Sequence, residues 1–154
     1  MLMREGRIVI GVVVKGWILP PEFLIPVLKE RNKMEKPKLI FTSFGIKNGQ
    51  EWPQVDCYVD CRGVPNPLYG GPSGTGHDPK VREWVREELG RGLPIYVELI
   101  QDGLRMLPTR RGVGHEADKP FIICCLCAHG IHRSVSMKHI LATYFSPSYV
   151  TEVQ

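Results

Sequence analysis

The segment 122–145 joins a strand pattern to a helix pattern across a short loop. Residues 122–127 (IICCLC) form a continuous apolar run, which is typical of a strand covered on both faces. Apolar residues then recur at helical spacing: Met137, Ile140, Leu141, Tyr144 and Phe145. Because a strand that passes through a tight loop into a helix is the basic unit of α/β proteins, we predict that class.

The loop between the two patterns is rich in groups that bind anions. It reads CAHGIHRS, and its candidate ligand-binding residues are Cys127, His129, Gly130, His132, Arg133 and Ser134. The amides and dipole of a helix N-terminus favour negative charge, and a guanidinium can bind a phosphate through two hydrogen bonds. We therefore predict an anion-binding strand-loop-helix. The alternative is an ordinary buried turn between a strand and a helix.

Size and charge restrict the remaining possibilities. A chain of 154 residues that is 43% hydrophobic matches one domain with one sizeable core. The net charge of +4 is compatible with nucleic-acid or phosphorylated partners without requiring them. No apolar run approaches the roughly 18 residues of a membrane span, and Lys15 interrupts the only run that resembles a signal peptide. We expect no membrane association.

The cysteines argue against a secreted disulfide scaffold. There are five, an odd number, and they are crowded as Cys57 and Cys61 and as Cys124, Cys125 and Cys127. An even number of evenly spread cysteines is typical of such scaffolds. Because this chain lacks that pattern, we expect it to function in the reducing cytoplasm. Zinc binding by these cysteines fails on spacing, because neighbouring residues on a strand point to opposite faces. We expect neither a metal nor a cofactor.

Strand and helix patterns alternate along the chain. Strands are predicted at 7–15, 37–44 and 55–61, and helices at 22–31, 79–89 and 93–107. Asp78 is the expected N-cap of the helix at 79–89, with Pro79 in its first turn. These elements predict a single three-layer-like α/β domain, with a mostly parallel central sheet and helices on its faces.

Glycine-rich loops follow at least three strands, and such loops gather where the carboxyl ends of parallel strands open a crevice. Lys47 stands on the first of these loops, Asp60 and Arg62 end the third predicted strand, and Asn66 is restrained between two prolines. These residues are candidates for the same site. Alternatively, Asp60 and Arg62 pair only with each other and Asn66 caps a turn. The stretch 69–76 (YGGPSGTG) is predicted to be a flap over the site.

Four separated motifs resemble the carboxy-terminal domain of the RapZ family of RNase adapters. They are Ser43-Phe44-Gly45 with Lys47 and Gly49, Asp60-Cys61-Arg62 with Pro65-Asn66-Pro67, Thr75-Gly76 with Asp78, and Cys127, Gly130 and His132-Arg133-Ser134-Val135. The resemblance covers 39–145 and leaves a strand and short helix at 1–38 and a tail at 146–154 outside it. It implies a module that binds an aminosugar phosphate, glucosamine-6-phosphate, and small regulatory RNAs, with a ribonuclease and a further copy of the chain as possible partners.

The chain also departs from that family. It contains no G-x-x-x-x-G-K-[ST], so we expect it to lack the family's nucleotide-binding half. Leu68, Ala128, His129 and Ile131 replace residues of the family pattern, and Tyr149 begins a tail that is not basic. These departures weaken the case for tight RNA binding. We expect any RNA binding to be modest and electrostatic, through Lys47 and Arg62 with help from Lys33, Lys36 and Lys38, and without exposed aromatic residues that stack on bases.

An enzymatic alternative comes from the same loop. Cys127, five intervening residues, Arg133 and Ser134 fit the C-x5-R-[ST] signature of cysteine-dependent phosphatases, in which a thiolate attacks phosphorus. Asp78 or Asp60 is the candidate acid for the leaving group. The residue before Cys127 is Leu126 rather than the usual His, so one contributor to a low thiol pKa is missing. We therefore expect a binding module rather than an enzyme.

Overall fold

The computed structural model describes residues 36–107 and 119–154, together with the backbone of four short strands within residues 1–35. The chain divides into two units, Met1–Glu35 and Lys36–Gln154. In the first unit, strand β1 (Leu2–Arg4) pairs antiparallel with β2 (Arg7–Val9), and β3 (Val12–Val14) pairs antiparallel with β4 (Trp17–Leu19).

The prediction of one strand at 7–15 is wrong, because β2 and β3 belong to two different antiparallel pairs. Two residues that include a glycine separate the strands of each pair, Glu5-Gly6 in one and Lys15-Gly16 in the other. Connections of this length and composition favour hairpins. The run of Val and Ile suggested one strand and hid the separation of β2 from β3. The helix predicted at 22–31 and Lys33 lie outside the described residues.

The second unit contains a sheet of four parallel strands in the order β6-β7-β5-β8. The strands are β5 (Leu39–Gly45), β6 (Cys57–Asp60), β7 (Phe121–Cys127) and β8 (Thr151–Val153). This arrangement confirms the predicted α/β class and parallel central sheet. Gly45 lies opposite Cys127, and Asp60 lies opposite Leu126, so the carboxyl ends of β5, β6 and β7 meet at one edge.

The described residues of the second unit contain three α-helices, each at a predicted position: α1 (Pro79–Leu89), α2 (Leu93–Arg105) and α3 (Arg133–Phe145). Their apolar sides pack on one face of the sheet. The buried cluster there includes Leu39, Phe41, Val59, Phe121, Ile123 and Cys125 from the strands and Val85, Val97, Ile100, Met137, Leu141 and Phe145 from the helices. Burial of each large apolar side chain contributes about 1.5–3 kcal/mol, which makes this cluster the main source of stability.

The opposite face of the sheet carries a smaller apolar cluster. Phe44, Cys124 and Leu126 alternate along their strands with the residues of the first cluster, and Ile46 and Val55 pack against them. Within the described residues, helices lie on one face of the sheet. These residues therefore show two of the three layers that the apolar run 122–127 led us to expect. The connection from β5 to β6 contains only a 3-10 turn, residues 46–48, which is too short to cover that face with a helix.

Two further positions differ from the sequence pattern. Tyr144, predicted to face inward, is 51% exposed, because it lies at the border of the buried side of α3, edge to face with Phe145. The residues at 146–154, predicted as a tail, include β8, which pairs with β5. Lys138, buried in α3, donates a hydrogen bond from Nζ to the Gln154 carbonyl at 2.6 Å and so ties this segment to the helix.

None of the helices in the described part of the chain is long and apolar enough to cross a membrane.

Candidate functional site

The loops that follow β5 and β7 are joined by backbone contacts. Lys47 N donates to Ala128 O at 2.9 Å, and Asn48 Nδ2 donates to His129 O at 3.3 Å. Gly130 has a positive φ of 71°, and a Cβ at this position would lie 2.8 Å from Gly45 N. Only glycine combines this backbone conformation with so close an approach. The loop 127–134 is therefore fixed against the end of β5.

The flap predicted at 69–76 ends against the start of α3. Gly76 N donates to Ile131 O at 3.0 Å, and a Cβ on Gly76 would lie 2.4 Å from His132 O. Asp78 occupies the N-cap position of α1 but makes no side-chain cap hydrogen bond. Its Oδ2 instead accepts a hydrogen bond from Thr75 N at 2.8 Å. The carboxylate of Asp78 thus stabilises the flap.

The Cys127 thiol lies at the centre of the loop. Its Sγ accepts a hydrogen bond from Gly130 N at 3.2 Å and lies 3.0 Å from Ser134 Oγ. Burial raises the pKa of Cys127, but hydrogen bonds from the Ser134 hydroxyl and from the amides of Ser134, Gly130 and His129 together outweigh burial and lower the pKa below its ordinary value. The loop therefore stabilises a negative charge at Sγ.

Arg62 and Asp60 lie beside Arg133, which belongs to this loop. Arg133 Nη1 donates to the main-chain carbonyl of Arg62 at 2.5 Å. The Arg62 guanidinium in turn pairs with Asp60 through Nε to Oδ1 at 3.0 Å and Nη2 to Oδ2 at 2.6 Å. The hydrogen bond from Arg62 is the main reason that the pKa of Asp60 is lowered, and the charge of Arg133 lowers it further. Asp60 is thus ionised at neutral pH, paired with Arg62 and close enough to Arg133 to be influenced by its charge.

Asn66 and the histidines are placed differently. Asn66 Oδ1 accepts a hydrogen bond from Leu68 N at 3.2 Å, which is the turn capping considered as the alternative in the sequence. His132 is half-buried at the N-cap of α3, where it makes no side-chain cap hydrogen bond, and His129 is exposed. The Lys47 side chain is exposed at the same edge of the sheet. The structure thus brings together Cys127, Gly130, Arg133, Ser134, Asp60 and Arg62 and leaves Asn66 engaged in its own turn.

The basic residues that precede β5 are far from the loop. Lys38 forms an ion pair with Glu152, and Lys36 Nζ lies 5.0 Å from the centre of the Tyr149 ring. Both lysines stand before Leu39, at the amino end of β5, whereas the loop contacts its carboxyl end at Gly45. Lys36 and Lys38 therefore lie at the opposite end of β5 from Lys47, and their contribution to RNA binding stays a prediction.

Several aromatic side chains are exposed, contrary to the expectation from the sequence. Tyr69 in the flap is 83% exposed and Trp52 is 52% exposed. The Trp52 ring packs edge to face on Tyr58, with ring centres 5.6 Å apart. Tyr58 and Asp60 are two residues apart on β6, so they share a sheet face. Aromatic surface therefore lies on the strand that carries Asp60.

The sequence did not identify Asn48 as a site residue, and it gave Gly76 no partner. Asn48 holds the His129 carbonyl, and Gly76 admits the flap against α3. A small residue in a loop after a strand is the only signal that could have indicated either role, because both contacts join distant parts of the chain. All five cysteines are buried. Within the described residues, no three Asp, Glu, His or Cys side chains are grouped as a metal ion would require.

The comparisons with known proteins agree on one family. The sequence model described as the RapZ C-terminal domain matches residues 37–154, which include the segment 146–154. A Staphylococcus carnosus protein named "Nucleotide-binding protein" is 31% identical over 153 residues, 96% of this chain and 48% of that protein. Proteins of the same description from Alkaliphilus oremlandii and Thermus thermophilus are 31% and 33% identical over 80% and 75% of this chain and 41% of each relative. The chain spans less than half the length of these relatives.

Proposed function

Because this chain belongs to the RapZ C-terminal domain family, we propose that it is a regulatory binding module whose 127–134 loop holds the phosphate of a phosphorylated small molecule. The observation that carries the proposal is the environment of the Cys127 thiol. Amides of the loop and the Ser134 hydroxyl converge on Sγ, and they lower the thiol pKa despite its burial. The amides of a loop that leads into a helix N-terminus create a positive potential, which favours the binding of a phosphate at the loop.

The charge around the loop supports a phosphate rather than a neutral ligand. Arg133 and Arg62 lie at its edge, whereas Asp60 supplies one negative charge, so the three side chains carry an excess of one positive charge. The start of α3 adds the positive end of a helix dipole. A guanidinium and a helix N-terminus are the usual protein partners of phosphate.

Asp60 suggests which phosphorylated molecule fits. Its carboxylate is half exposed and remains ionised beside the two arginines, so it can accept hydrogen bonds from hydroxyl or ammonium groups of a ligand. An aminosugar phosphate combines such groups with a phosphate. The relatives' name, nucleotide-binding protein, also describes proteins that bind a phosphorylated small molecule.

A titration followed by amide NMR tests this proposal. Inorganic phosphate, glucosamine-6-phosphate and unphosphorylated glucosamine are added separately to the labelled protein. We expect the first two ligands to shift the amide resonances of Gly130 and Ser134 in a saturable way, and the aminosugar phosphate to bind more tightly than phosphate. Glucosamine should cause no comparable shift. If none of the three ligands shifts these amides, the loop is not a phosphate site.

RNA is the second class of partner that this edge of the domain supports. Lys47 and Arg62 are exposed there, and the exposed Trp52, Tyr58 and Tyr69 provide aromatic rings of the kind on which bases stack. Residues 149–154 contain no Lys or Arg, which argues for modest affinity. Fluorescence anisotropy with single-stranded RNA should show binding whose logarithm falls linearly with the logarithm of salt concentration, with a slope of roughly −0.7 for each phosphate contact. Lys47→Ala should reduce the slope by about one contact, and no affinity at low salt would remove RNA from the proposal.

Cysteine-dependent phosphatase activity remains the alternative, because the lowered pKa of Cys127 and its contact with Ser134 suit a nucleophile. The two candidate acids argue against it. Asp78 is engaged with Thr75 N, and Asp60 is paired with Arg62. We expect the protein and its Cys127→Ser variant to show the same absence of turnover with an aryl phosphate. Hydrolysis that is lost in Cys127→Ser would establish the enzymatic function instead.

A further inference from the structure

Helix α2 runs antiparallel to β6 and so brings its first turn to the edge of the sheet that carries the candidate site. Near the end of α2, a Cβ added at Gly103 would lie 3.9 Å from the Cβ of Cys57, the first residue of β6. Near the start of α2, Tyr96 Oη would lie 3.7 Å from a Cβ added at Gly63, in the loop that follows β6. Tyr96 therefore lies at the carboxyl end of β6, beside which β7 leads into the loop 127–134.

Tyr96 and Arg133 approach adjacent residues of the loop after β6. Arg133 Nη1 donates to the Arg62 carbonyl at 2.5 Å, and this carbonyl belongs to the peptide bond that joins Arg62 to Gly63. Burial is the main reason that the pKa of Tyr96 is raised above its ordinary value, and the negative charge of Asp60 contributes to the increase. The Tyr96 hydroxyl thus lies close to both Asp60 and the guanidinium of Arg133.

The ring and the hydroxyl of Tyr96 have different surroundings. The half-buried ring packs against the main apolar cluster, a role that a phenylalanine ring would fill equally well. The hydroxyl makes no hydrogen bond within the described residues, and it lies beside the exposed Gly63. Because the phenol is neutral at neutral pH, it both donates and accepts hydrogen bonds. These properties suit a hydroxyl or amino group of a bound molecule.

We propose that Tyr96 is a further ligand-binding residue that determines specificity, because its hydroxyl forms a hydrogen bond with a hydroxyl or amino group that the ligand carries beyond its phosphate. This inference rests on the function proposed for the loop 127–134. Arg133 and the loop amides hold the phosphate, whereas Tyr96 and Asp60 contact the rest of the molecule. Inorganic phosphate has no such second part, so Tyr96 contributes nothing to its affinity.

A comparison of two ligands in one variant tests this inference. Tyr96→Phe keeps the packed ring and removes only the hydroxyl. Glucosamine-6-phosphate and inorganic phosphate are titrated separately and followed through the amide resonance of Gly130. Loss of one hydrogen bond should raise the dissociation constant of glucosamine-6-phosphate about 3- to 10-fold and leave that of inorganic phosphate unchanged. Tyr144→Phe, which removes an exposed hydroxyl near the other end of α3, is the control and should change neither constant.

The outcomes separate the role of Tyr96 from that of the phosphate loop. Equal affinity for glucosamine-6-phosphate in the parent and Tyr96→Phe proteins, with phosphate still bound, would overturn the role of Tyr96 alone. An equal loss for both ligands would also overturn it, since a purely structural role predicts that result. If neither ligand shifts the Gly130 amide of the parent protein, the phosphate site fails and the role of Tyr96 fails with it.

The parent protein provides a measurement that does not depend on how well the variant folds. The ring resonances of Tyr96 should shift saturably with glucosamine-6-phosphate and much less with inorganic phosphate. A Tyr96 ring that does not respond to glucosamine-6-phosphate, while the Gly130 amide does, would contradict the proposal.

Discussion

The Sγ atom of Cys127, the last residue of β7, lies 3.0 Å from the Oγ atom of Ser134 in the first turn of α3. This contact links the two ends of the loop through side chains. It also places a hydroxyl donor beside a buried thiol, where it helps to lower the thiol pKa.

Ser134→Ala should therefore raise the pKa of Cys127, since burial then acts against fewer hydrogen bonds. The thiolate absorbance of each protein is measured as a function of pH. Subtracting the absorbance of the same protein with Cys127→Ser added leaves the titration of Cys127, which gives its pKa. Ser136→Ala is the matched control, because Ser136 is buried in the same helix and its Oγ has no partner in the described residues. An unchanged pKa in Ser134→Ala would show that the hydroxyl does not stabilise the thiolate.

The same contact predicts how stability depends on pH. A thiol with a lower pKa in the folded state binds fewer protons there than in the unfolded chain, so its contribution is present above the unfolded pKa and is lost as pH falls through the folded pKa. Ser134→Ala should lower the free energy of unfolding more at alkaline than at acidic pH. Urea unfolding of the parent and Ser134→Ala proteins at one alkaline and one acidic pH measures this loss at each pH. An equal loss at both values would contradict the assignment.

Asp60→Asn should strengthen the binding of inorganic phosphate, because Asp60 occupies Arg62 and reduces the positive potential near Arg133. The effect should be largest at low ionic strength. Asp102→Asn is the control, since Asp102 is an exposed carboxylate paired with Arg105 near the far end of α2. For glucosamine-6-phosphate the gain should be smaller, because the carboxylate no longer accepts from the sugar. Weaker phosphate binding in Asp60→Asn would contradict this account.

Gly76→Ala should destabilise the protein, because its Cβ would lie 2.4 Å from His132 O and 2.5 Å from Ser136 N. Forcing an extra carbon into such a contact costs about 1–3 kcal/mol. Gly63→Ala is a matched control, since its Cβ would meet only Tyr96 Oη at 3.7 Å, an ordinary contact. Denaturant unfolding should show a lower midpoint for Gly76→Ala alone. Equal midpoints would mean that the flap does not depend on this close contact.

Much of the sheet and its helices could be predicted from local patterns. The strand predicted from the run 122–127 and the helix predicted to start at Asp78-Pro79 are both present in the structure. Strand β8 could not be predicted, because its three residues show no period and are held by pairing with β5. The separation of β2 from β3 could not be predicted, because both strands lie in one run of Val and Ile.

The candidate site also has one part that the sequence could predict and another that it could not. Cys127, Gly130 and Ser134 are close in sequence, and their convergence follows from a strand that turns into a helix. The contact of Asn48 with His129 joins residues 81 positions apart, so only the pairing of β5 with β7 determines it. For a related reason, the sequence could not show where Lys36 and Lys38 lie relative to the loop. Sequence shows that they precede β5 but not that the loop lies at its other end.

The most direct test of the central claim compares phosphate binding in the parent and Arg133→Ala proteins through the amide resonance of Gly130, so that binding elsewhere does not contribute. Arg91→Ala, which removes an exposed arginine between α1 and α2, is the control. Loss of a charge-assisted contact of roughly 1.5–3 kcal/mol should raise the dissociation constant about 10- to 150-fold in Arg133→Ala and leave Arg91→Ala unchanged. The same dissociation constant in the parent and Arg133→Ala proteins would contradict a phosphate site built on this loop.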